Sequence, residues 1–579
     1  MKKESIWVGI FEGHRDPSVA IVQHGKLLAY MEEERLNRVK HAPGQYPLRA
    51  LRSCLDQLGI SPNEVAGIAI NWNLSAYANG TMRKFFAQMK RSWPLDVATH
   101  RWQKHVMSYF NPEATRQRHA RHWRRAFGNI VMPEIISLPH HYVHAIHAFL
   151  QSPFSKSLCL TIDGSGDQHC TVIWECSHDI IQPIRQIYMP HSLGWFYAAF
   201  TEYLGFEAYD GEYKIMGLAA YGEPDPVLKE KVRQVLSPAE DGIEYRINPN
   251  FLHYGKHTWS DRFTDDLLRL FGQPKRLPED SITQWHKNLA YAVQDALEIT
   301  VCRLARWGIK KTGIKNICVG GGVGLNVKMN AKLLAVDDVS DLFVQPLCSD
   351  GGAAAGAALG ACWRKTGARP EKLDTLALGY EETDESIERM LKNCRLRYLR
   401  VDSITEIVAG ELAQGQIVGW FQGRMEAGPR ALGQRSILAD PRNPEMRDKI
   451  NLAIKFREKW RPFCPSIPSE EAIRYLKCTT KAPFMNIAFN VTDAFWRDAP
   501  AVVHMDGSVR VQLVYREVLP LYYKLLRAFE HLTGVPILLN TSFNVKGEPI
   551  VCTIADALRT FFSSGLDLLA VGSFLVRKN

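Results

Sequence analysis

Ser157-Leu158-Cys159-Leu160-Thr161-Ile162-Asp163-Gly164-Ser165-Gly166-Asp167 decides the fold. Ser157 to Ile162 reads as a buried strand, and the Asp/Gly run that follows ends it in a turn. The pattern recurs where Ile314 to Val319 runs into Gly320-Gly321-Gly322-Val323-Gly324-Leu325-Asn326. It recurs again where Asp341 to Gln345 precedes Ser349-Asp350-Gly351-Gly352 and an Ala-rich helix. Strands that end in Gly/Asp loops and feed helices describe an α/β domain whose ligand lies at the strand ends.

Upstream, Ile6 to Ile10, Ser18 to Val22 and Leu27 to Met31 read as a strand and a hairpin, turning at Gln23-His24-Gly25-Lys26. His140 to Leu150 has a helical pattern. Downstream, the polar, breaker-containing stretch from Lys365 to Glu385 reads as an inter-domain connection. Beyond it, Ile417 to Phe421, Val502 to Val511, Val535 to Asn540 and Leu568 to Val576 supply strands for a second domain.

The 579 residues exceed what one core serves, so two or more domains are expected. The apolar run after Lys2 and Lys3 is cut short by Glu12, His14, Arg15 and Asp16, unlike a signal peptide. No stretch approaches the roughly 20 apolar residues that span a bilayer. The small residues from Gly351 to Cys362 suit a tightly packed helix instead. Twelve cysteines without a CxxC pair read as free thiols, and the cytosol is the default location.

Charge is uneven. From Thr81 to Arg125 there are 11 Lys/Arg against Asp96 and Glu113, a local excess of +9 in a chain of +10. Trp93, Trp102, Tyr109, Phe110 and Trp123 are interleaved. Such a stretch can hold nucleic acid or an anionic substrate. A helical insertion with a solvated basic face is the reading preferred here.

Three sites could carry chemistry. In His140-His141-Tyr142-Val143-His144, the first and last residues share one helix face, with Cβ atoms about 6 Å apart. That spacing suits two imidazoles on one metal, completed by carboxylates such as Asp163 and Asp350; a surface histidine cluster is the plainer alternative. The turns at Asp163–Asp167, Gly320–Gly324 and Ser349–Gly352 let backbone N–H groups approach a phosphate, with Gly321, Gly322 and Asn326 as candidates. None fits a P-loop or a GxGxxG fingerprint. The third site is basic: Gly423 to Ser436, carrying Arg430 and Arg435, then Lys455 to Phe463, carrying Lys455, Arg457, Lys459 and Arg461. Planar guanidinium forks there suit phosphate or carboxylate, and Asn540-Thr541-Ser542-Phe543-Asn544 could position a triphosphate or its magnesium.

Taken together these motifs resemble the O-carbamoyltransferase family of nodulation-factor and antibiotic-tailoring enzymes. The resemblance runs through Glu32-Glu33-Glu34-Arg35, Arg38, Lys40-His41, the His140–His144 box and Asp163–Asp167. It continues through His191–Tyr197, Gly211–Leu218, Gly320–Asn330, Gly423–Ser436, Lys455–Phe463, His504–Gly507 and Asn540–Ile550. It implies an actin-like ATPase (ASKHA-type) domain over residues 1–370, interrupted by the basic insertion at 81–125. Residues 371–579 would form an α/β acyl-adenylate-forming domain similar to the tRNA threonylcarbamoyl-AMP synthase.

By resemblance, the second domain makes carbamoyl-adenylate from carbamoyl phosphate and ATP with magnesium, at Lys455, Arg457, Ser542 and Asn544. The first domain would then pass the carbamoyl group to a hydroxyl of a small molecule or sugar, at a divalent, iron(II)-type site on His140, His144, Asp163 and Asp350. His14, Asp16 and Asp163 are candidates for the base. The family usually has His directly followed by Asp, whereas Arg15 separates His14 from Asp16; Ala427 replaces an aromatic residue usual after Glu. Of further partners, a homodimer is allowed, no membrane is expected and nucleic acid is disfavoured. Two alternatives stand beside this reading: tRNA threonylcarbamoylation, and a nucleic-acid-binding protein with a relic active site.

Overall fold

The computed structural model describes residues 5–92, 97–178, 180–253, 261–458, 460–478 and 480–578. Lys2, Lys3, Trp93, Asp96 and Lys459, singled out above, lie outside the described residues. The chain forms two compact units. The first comprises Met1–Phe11, Val22–Lys26 and Pro62–Lys372; the second comprises Glu12–Ile21, Leu27–Ser61 and Leu373–Asn579.

The first strand, β1 (Ile6–Phe11), is buried throughout. The hairpin strands β2 (Ser18–Gln23) and β3 (Lys26–Glu32) follow. His24 and Gly25 both have positive φ, 51° and 81°, which is the backbone of a tight two-residue hairpin turn. Next, β4 (Val65–Ile70) runs parallel to β1. Three helices form the insertion: α1 (Thr81–Ser92), α2 (Val97–Tyr109) and α3 (Pro112–Phe127). Asn111 starts α3 by accepting from the N–H groups of Glu113 and Ala114 at 3.0 and 3.2 Å, and Pro112 occupies the first turn. Met82, Phe86, Met89 and Trp123 are buried while the cations around them are mostly exposed, as expected for an amphipathic insertion. Strand β5 (Glu134–Ser137) then adds parallel to β4.

The buried helix α4 (His140–Leu150) leads into β6 (Ser157–Gly166), β7 (His169–Ser177) and β8 (Ile180–Tyr188), which form an antiparallel meander. After the long helix α5 (Gln284–Thr312), β9 (Asn316–Gly320) and β10 (Asp341–Val344) complete a sheet in the order β10-β9-β6-β7-β8. β9 is parallel to both β6 and β10. The same chain order occurs twice: a strand, two hairpin strands, then two strands parallel to the first.

β6 runs further than expected. Its register slips between Ile162 and Gly166, so the Asp163 loop is a bulge within the strand, a device that re-aims a side chain. The Ala-rich segment is α6 (Ala353–Thr366), which packs on α4 and β1 at backbone distance. A Cβ on Gly9 would sit 1.8 Å from the Ala354 carbonyl oxygen, and one on Gly356 would sit 2.7 Å from that of Val143. Small residues are there for contact between elements. Among the described residues no helix is long and apolar enough to cross a membrane.

The second unit is built on an eight-stranded mixed sheet. Its strands are β11 (Tyr398–Arg400), β12 (Val418–Phe421), β13 (Arg435–Ala439), β14 (Cys464–Pro468), β15 (Gln512–Val514), β16 (Leu538–Ser542), β17 (Leu568–Val571) and β18 (Phe574–Arg577). They lie in the order β11-β18-β17-β12-β13-β16-β14-β15. Two helices, α7 (Ile404–Ala413) and α8 (Pro520–Thr533), bury Val408, Leu412, Leu525 and Phe529 against Trp420, Leu438 and Leu538 of the sheet.

Two expected strands are corrected. Val502 to Val511 is not one strand, because His504 to Ser508 closes a turn in which Gly507 has φ 74° and Asp506 accepts from Ser508. Leu568 to Val576 is a hairpin turning at Gly572, φ 51°. All twelve cysteines are free thiols, ten of them buried.

Candidate functional site

In the first unit four side chains converge. His140 and His144 project from one face of α4, Asp163 from the β6 bulge and Asp350 from the turn before α6. Their ligand atoms all lie within 4.8 Å of one another. His144 Nε2 is 3.2 Å from Asp163 Oδ2, and His140 Nε2 is 3.3 Å from Asp350 Oδ1. The two Nε2 atoms are 3.1 Å apart.

Burial pulls the His140 pKa down, but Asp350 and Asp163 outweigh it and hold it up at about 10. Burial pushes Asp163 up, but hydrogen bonds from His140 and His144 outweigh it and hold that carboxyl well below its usual range. His141 is held low by burial and the other imidazoles; its ring bonds Thr161 Oγ1 at 3.0 Å instead of joining the cluster.

A divalent cation fits this donor set. Asp350 Oδ1 is buried without a hydrogen-bond partner, and two imidazoles with two carboxylates suit a first-row transition metal. The outer contacts agree. Asn71 faces His140 Nδ1 at 3.1 Å and its own Oδ1 is unsatisfied, so turning the amide lets that oxygen accept from Nδ1–H. Nε2 then keeps its lone pair for a metal, the usual arrangement around a ligating imidazole. Asp167 anchors the helix start by accepting from the His140 N–H at 2.9 Å.

The glycine loop meets the same cluster. Gly322 N–H donates to Asp163 Oδ2 at 3.2 Å, and Gly321 (φ 85°) lies so close to Ile162 that a Cβ would be 2.3 Å from its carbonyl oxygen. The Asn326 side chain is engaged locally. It accepts from Met329 N–H at 3.0 Å and exchanges hydrogen bonds with Gln294, whose Oε1 also accepts from Tyr197.

The second unit holds a cationic cradle. Lys455 ends a wide helical turn, Asn451–Lys455, and Phe456 reverses the chain at φ 45°. Its Nζ donates to Ser542 O (2.5 Å) and Oγ (3.2 Å) and to Asn544 O (3.0 Å) and Oδ1 (2.8 Å). Three N–H bonds thus face four oxygens, none of them from a carboxylate. Burial, then Arg457 and Arg461, push the Lys455 pKa well below its ordinary value, while Glu548 acts the other way. Those four acceptors favour the ammonium form, and an anionic ligand would favour it further.

Lys455, Ser542 and Asn544 therefore meet. Arg457 packs beside them, its Nε donating to Asn451 Oδ1 at 2.7 Å and its guanidinium over Phe463 at 4.5 Å. Asn451 also donates to the Arg461 carbonyl at 3.2 Å, a linking role that sequence reasoning missed. Arg430 lies half-buried on the Gly428–Gly433 turn, where Glu426 accepts from Leu432 N–H at 2.7 Å. Arg435 is a correction. It is fully buried over Phe421 at 3.5 Å and donates to the Gln422, Gly423 and Tyr380 carbonyls, so its fork is not offered to a ligand.

Near the N-terminus His14 is exposed, whereas His41 Nδ1 lies 2.8 Å from Asp16 Oδ1 and its N–H donates to Glu34 at 2.6 Å. Asp16, Arg38, His41 and Ala42 all have positive φ, a concentration of backbone strain of the kind found at functional sites. The sequence presented His41 within a motif but assigned it no task.

Residues 7–359 match the model of the carbamoyltransferase N-terminus, and residues 409–578 match that of the carbamoyltransferase C-terminus. The chain belongs to the carbamoyltransferase family. The nodulation protein NolNO of Sinorhizobium fredii is 37% identical over 97% of this carbamoyltransferase and 79% of its own length. NolO of Bradyrhizobium diazoefficiens is 40% identical over 76% and 78%. An uncharacterised Synechocystis protein, sll1178, is 35% identical over 99% and 96%. Among solved structures, HypF of T. kodakarensis aligns over 63% of the chain and 48% of its own, at 12% identity and a TM-score of 0.32. Membership makes this protein a transferase of carbamoyl groups.

Proposed function

We propose that this carbamoyltransferase works in two steps on two sites: it adenylates carbamate in the second unit and carbamoylates an acceptor hydroxyl in the first. The observation that carries the reading is the pairing of a built cationic cradle at Lys455 with a built two-histidine, two-carboxylate cluster, each in its own compact unit. The repeated strand order supports an actin-like fold for the N-terminal part of the chain.

Carbamate is a poor acyl donor because its leaving group is poor. In the first step carbamoyl phosphate and water yield carbamate and phosphate. Carbamate oxygen then attacks the α-phosphorus of ATP and pyrophosphate leaves. Lys455, Arg457 and Arg461 would meet the charge on the triphosphate as it develops, with magnesium bound to the nucleotide. Ser542 and Asn544 hold the Lys455 ammonium in place.

In the second step the acceptor oxygen bonds to the carbamoyl carbon, the bond to the adenylate oxygen breaks, and AMP departs while the hydroxyl proton passes to a base. A divalent metal on His140, His144, Asp163 and Asp350 would supply Lewis-acid stabilisation of phosphate charge. Asp163 then serves as a ligand, its Oδ2 facing His144 Nε2 at 3.2 Å. The Gly322 N–H fixes its orientation.

The test is to supply carbamoyl phosphate and ATP to the metal-loaded protein and follow pyrophosphate and carbamoyl-adenylate. No nucleotide turnover would overturn the reading. Turnover with threonine and bicarbonate in place of carbamoyl phosphate would move the enzyme to threonylcarbamoyl chemistry.

A further inference from the structure

Two lines of tilted or edge-on ring contacts, all within the first unit, run from the basic insertion inward, one to His140 of the metal-type cluster and the other to its neighbour His141. Along one, the Phe110 ring at the end of α2 lies 4.4 Å from Trp72, and Trp72 lies 5.0 Å from His140. Tyr77 and Tyr109 flank Phe110 at 5.2 and 5.1 Å. Along the other, Phe85 of α1 lies 6.3 Å from Tyr188, Tyr188 lies 4.7 Å from His169, and His169 lies 6.1 Å from His141. The segment beneath the first line is tied to the same cluster. Asn71 faces His140, and Asn73 N–H donates to Asp167, whose other oxygen accepts from the His140 N–H.

Rings that served only to bolt an insertion down would be sealed from water. These are not: Trp72, Phe110 and Phe85 are half-buried and Tyr188 is 43% exposed. They make a partly open aromatic wall that begins at a cluster histidine and runs out onto the insertion. Around it the helices are strongly basic. Arg83, Lys84, Lys90 and Arg91 of α1, Lys104 of α2, and Arg121, Arg124 and Arg125 of α3 are exposed. Glu113 is the sole acidic side chain described in the three helices, and Arg116 pairs with it at 3.3 Å.

We propose that this insertion is the acceptor-recognition wall of the transfer site, and that it selects a small hydroxyl acceptor carrying both a ring face and an anionic group. Half-exposed aromatic faces favour a ring of the ligand by stacking, and a cationic surface raises the local concentration of anions while rejecting cationic competitors. Met82, Phe86 and Met89 of α1 and Trp123 of α3 are buried, so the fully exposed surface of these two helices is mainly charged. This inference rests on the two-step reading above and names the substrate class for its second step.

The experiment uses the full-length, metal-loaded enzyme with carbamoyl phosphate and ATP. Its acceptor probes are two matched pairs, uridine with uridine monophosphate and glucose with glucose 6-phosphate. Pyrophosphate release and carbamoylated product are followed separately. The phosphorylated member of at least one pair should be carbamoylated with kcat/KM about ten-fold or more above its neutral partner, and that preference should shrink from about 50 to about 300 mM salt. Joint replacement of Arg121→Gln and Arg124→Gln, both on the exposed surface, should reduce the preference, whereas Phe110→Ala should raise KM for both members. Equal use of neutral and anionic members, or use of neither, overturns the proposal; so does a carbamoylated tRNA transcript, which would make nucleic acid the acceptor. Absence of pyrophosphate release would instead overturn the two-step reading itself, so the two failures are told apart.

Discussion

His140 Nε2 and His144 Nε2 lie 3.1 Å apart, each also facing Asp163 Oδ2 and Asp350 Oδ1 at 3.2 to 3.7 Å. Without a metal, protons must satisfy that arrangement, which is why His140 is held at about 10. A divalent ion displaces those protons. The purified protein should therefore bind about one divalent metal per chain, and His144→Asn should weaken binding by about ten-fold or more. Metal in excess by about 100 Kd should raise stability by roughly 2.7 kcal/mol, and a chelator should remove that gain. Elemental analysis and thermal unfolding check both statements; wild-type affinity in His144→Asn would refute the ligand set.

The cradle and the cluster should fail at different steps. Lys455→Met removes the ammonium that faces Ser542 and Asn544, and should slow pyrophosphate release by about 100-fold or more. His144→Asn should leave that release in place and stop product formation. Paired assays of pyrophosphate and carbamoylated product decide the matter. If both variants lost the same step, the division of labour would be wrong.

Lys455 also predicts a proton signature. Its pKa in the free protein is depressed, by burial first and then by Arg457 and Arg461. An arriving triphosphate raises it again. Below the depressed value the amine is protonated in both states, and binding moves no proton. Above it, up to the ordinary lysine range, the free form is neutral and the bound form charged, so ATP binding takes up protons. Over that same window the unfolded chain binds more protons than the native one, and ligand-free stability should rise with pH. Calorimetry of ATP binding in two buffers of different ionisation enthalpy measures the uptake. Lys455→Arg, charged throughout, should bind without it; equal uptake in that variant would exclude Lys455 as the source.

Much of this was legible in the chain because it depends on short-range pattern. Helical spacing puts His140 and His144 on one face, and Asp/Gly runs mark where Asp163 and Asp350 stand, although the first run is a bulge inside β6 rather than its end. The Lys455 cradle was legible only through its likeness to a family motif, since Lys455 and Ser542 meet across 87 residues. Other features resist such reading for physical reasons. Asp16 meets His41 only because several non-glycine residues adopt left-handed backbone, which propensity assigns to glycine or asparagine. Arg435 reads as a fork for an anion, yet backbone carbonyls and the Phe421 face satisfy it in the interior. Nor does chain order disclose that residues 12–21 and 27–61 pack with the C-terminal unit.

Close packing in the first unit gives a stability test. A methyl on Gly9 would meet the Ala354 carbonyl oxygen at 1.8 Å, where backbone rather than a flexible side chain must move. Gly9→Ala should cost about 3 kcal/mol or more, as severe overpacking does. Gly313→Ala is the matched control, because its φ is 73° but nothing lies within 4 Å of the added carbon. Only left-handed strain remains there, about 1–2 kcal/mol. Denaturant unfolding of the two variants should rank them in that order, and equal losses would show that Gly9 and α6 are not in backbone contact.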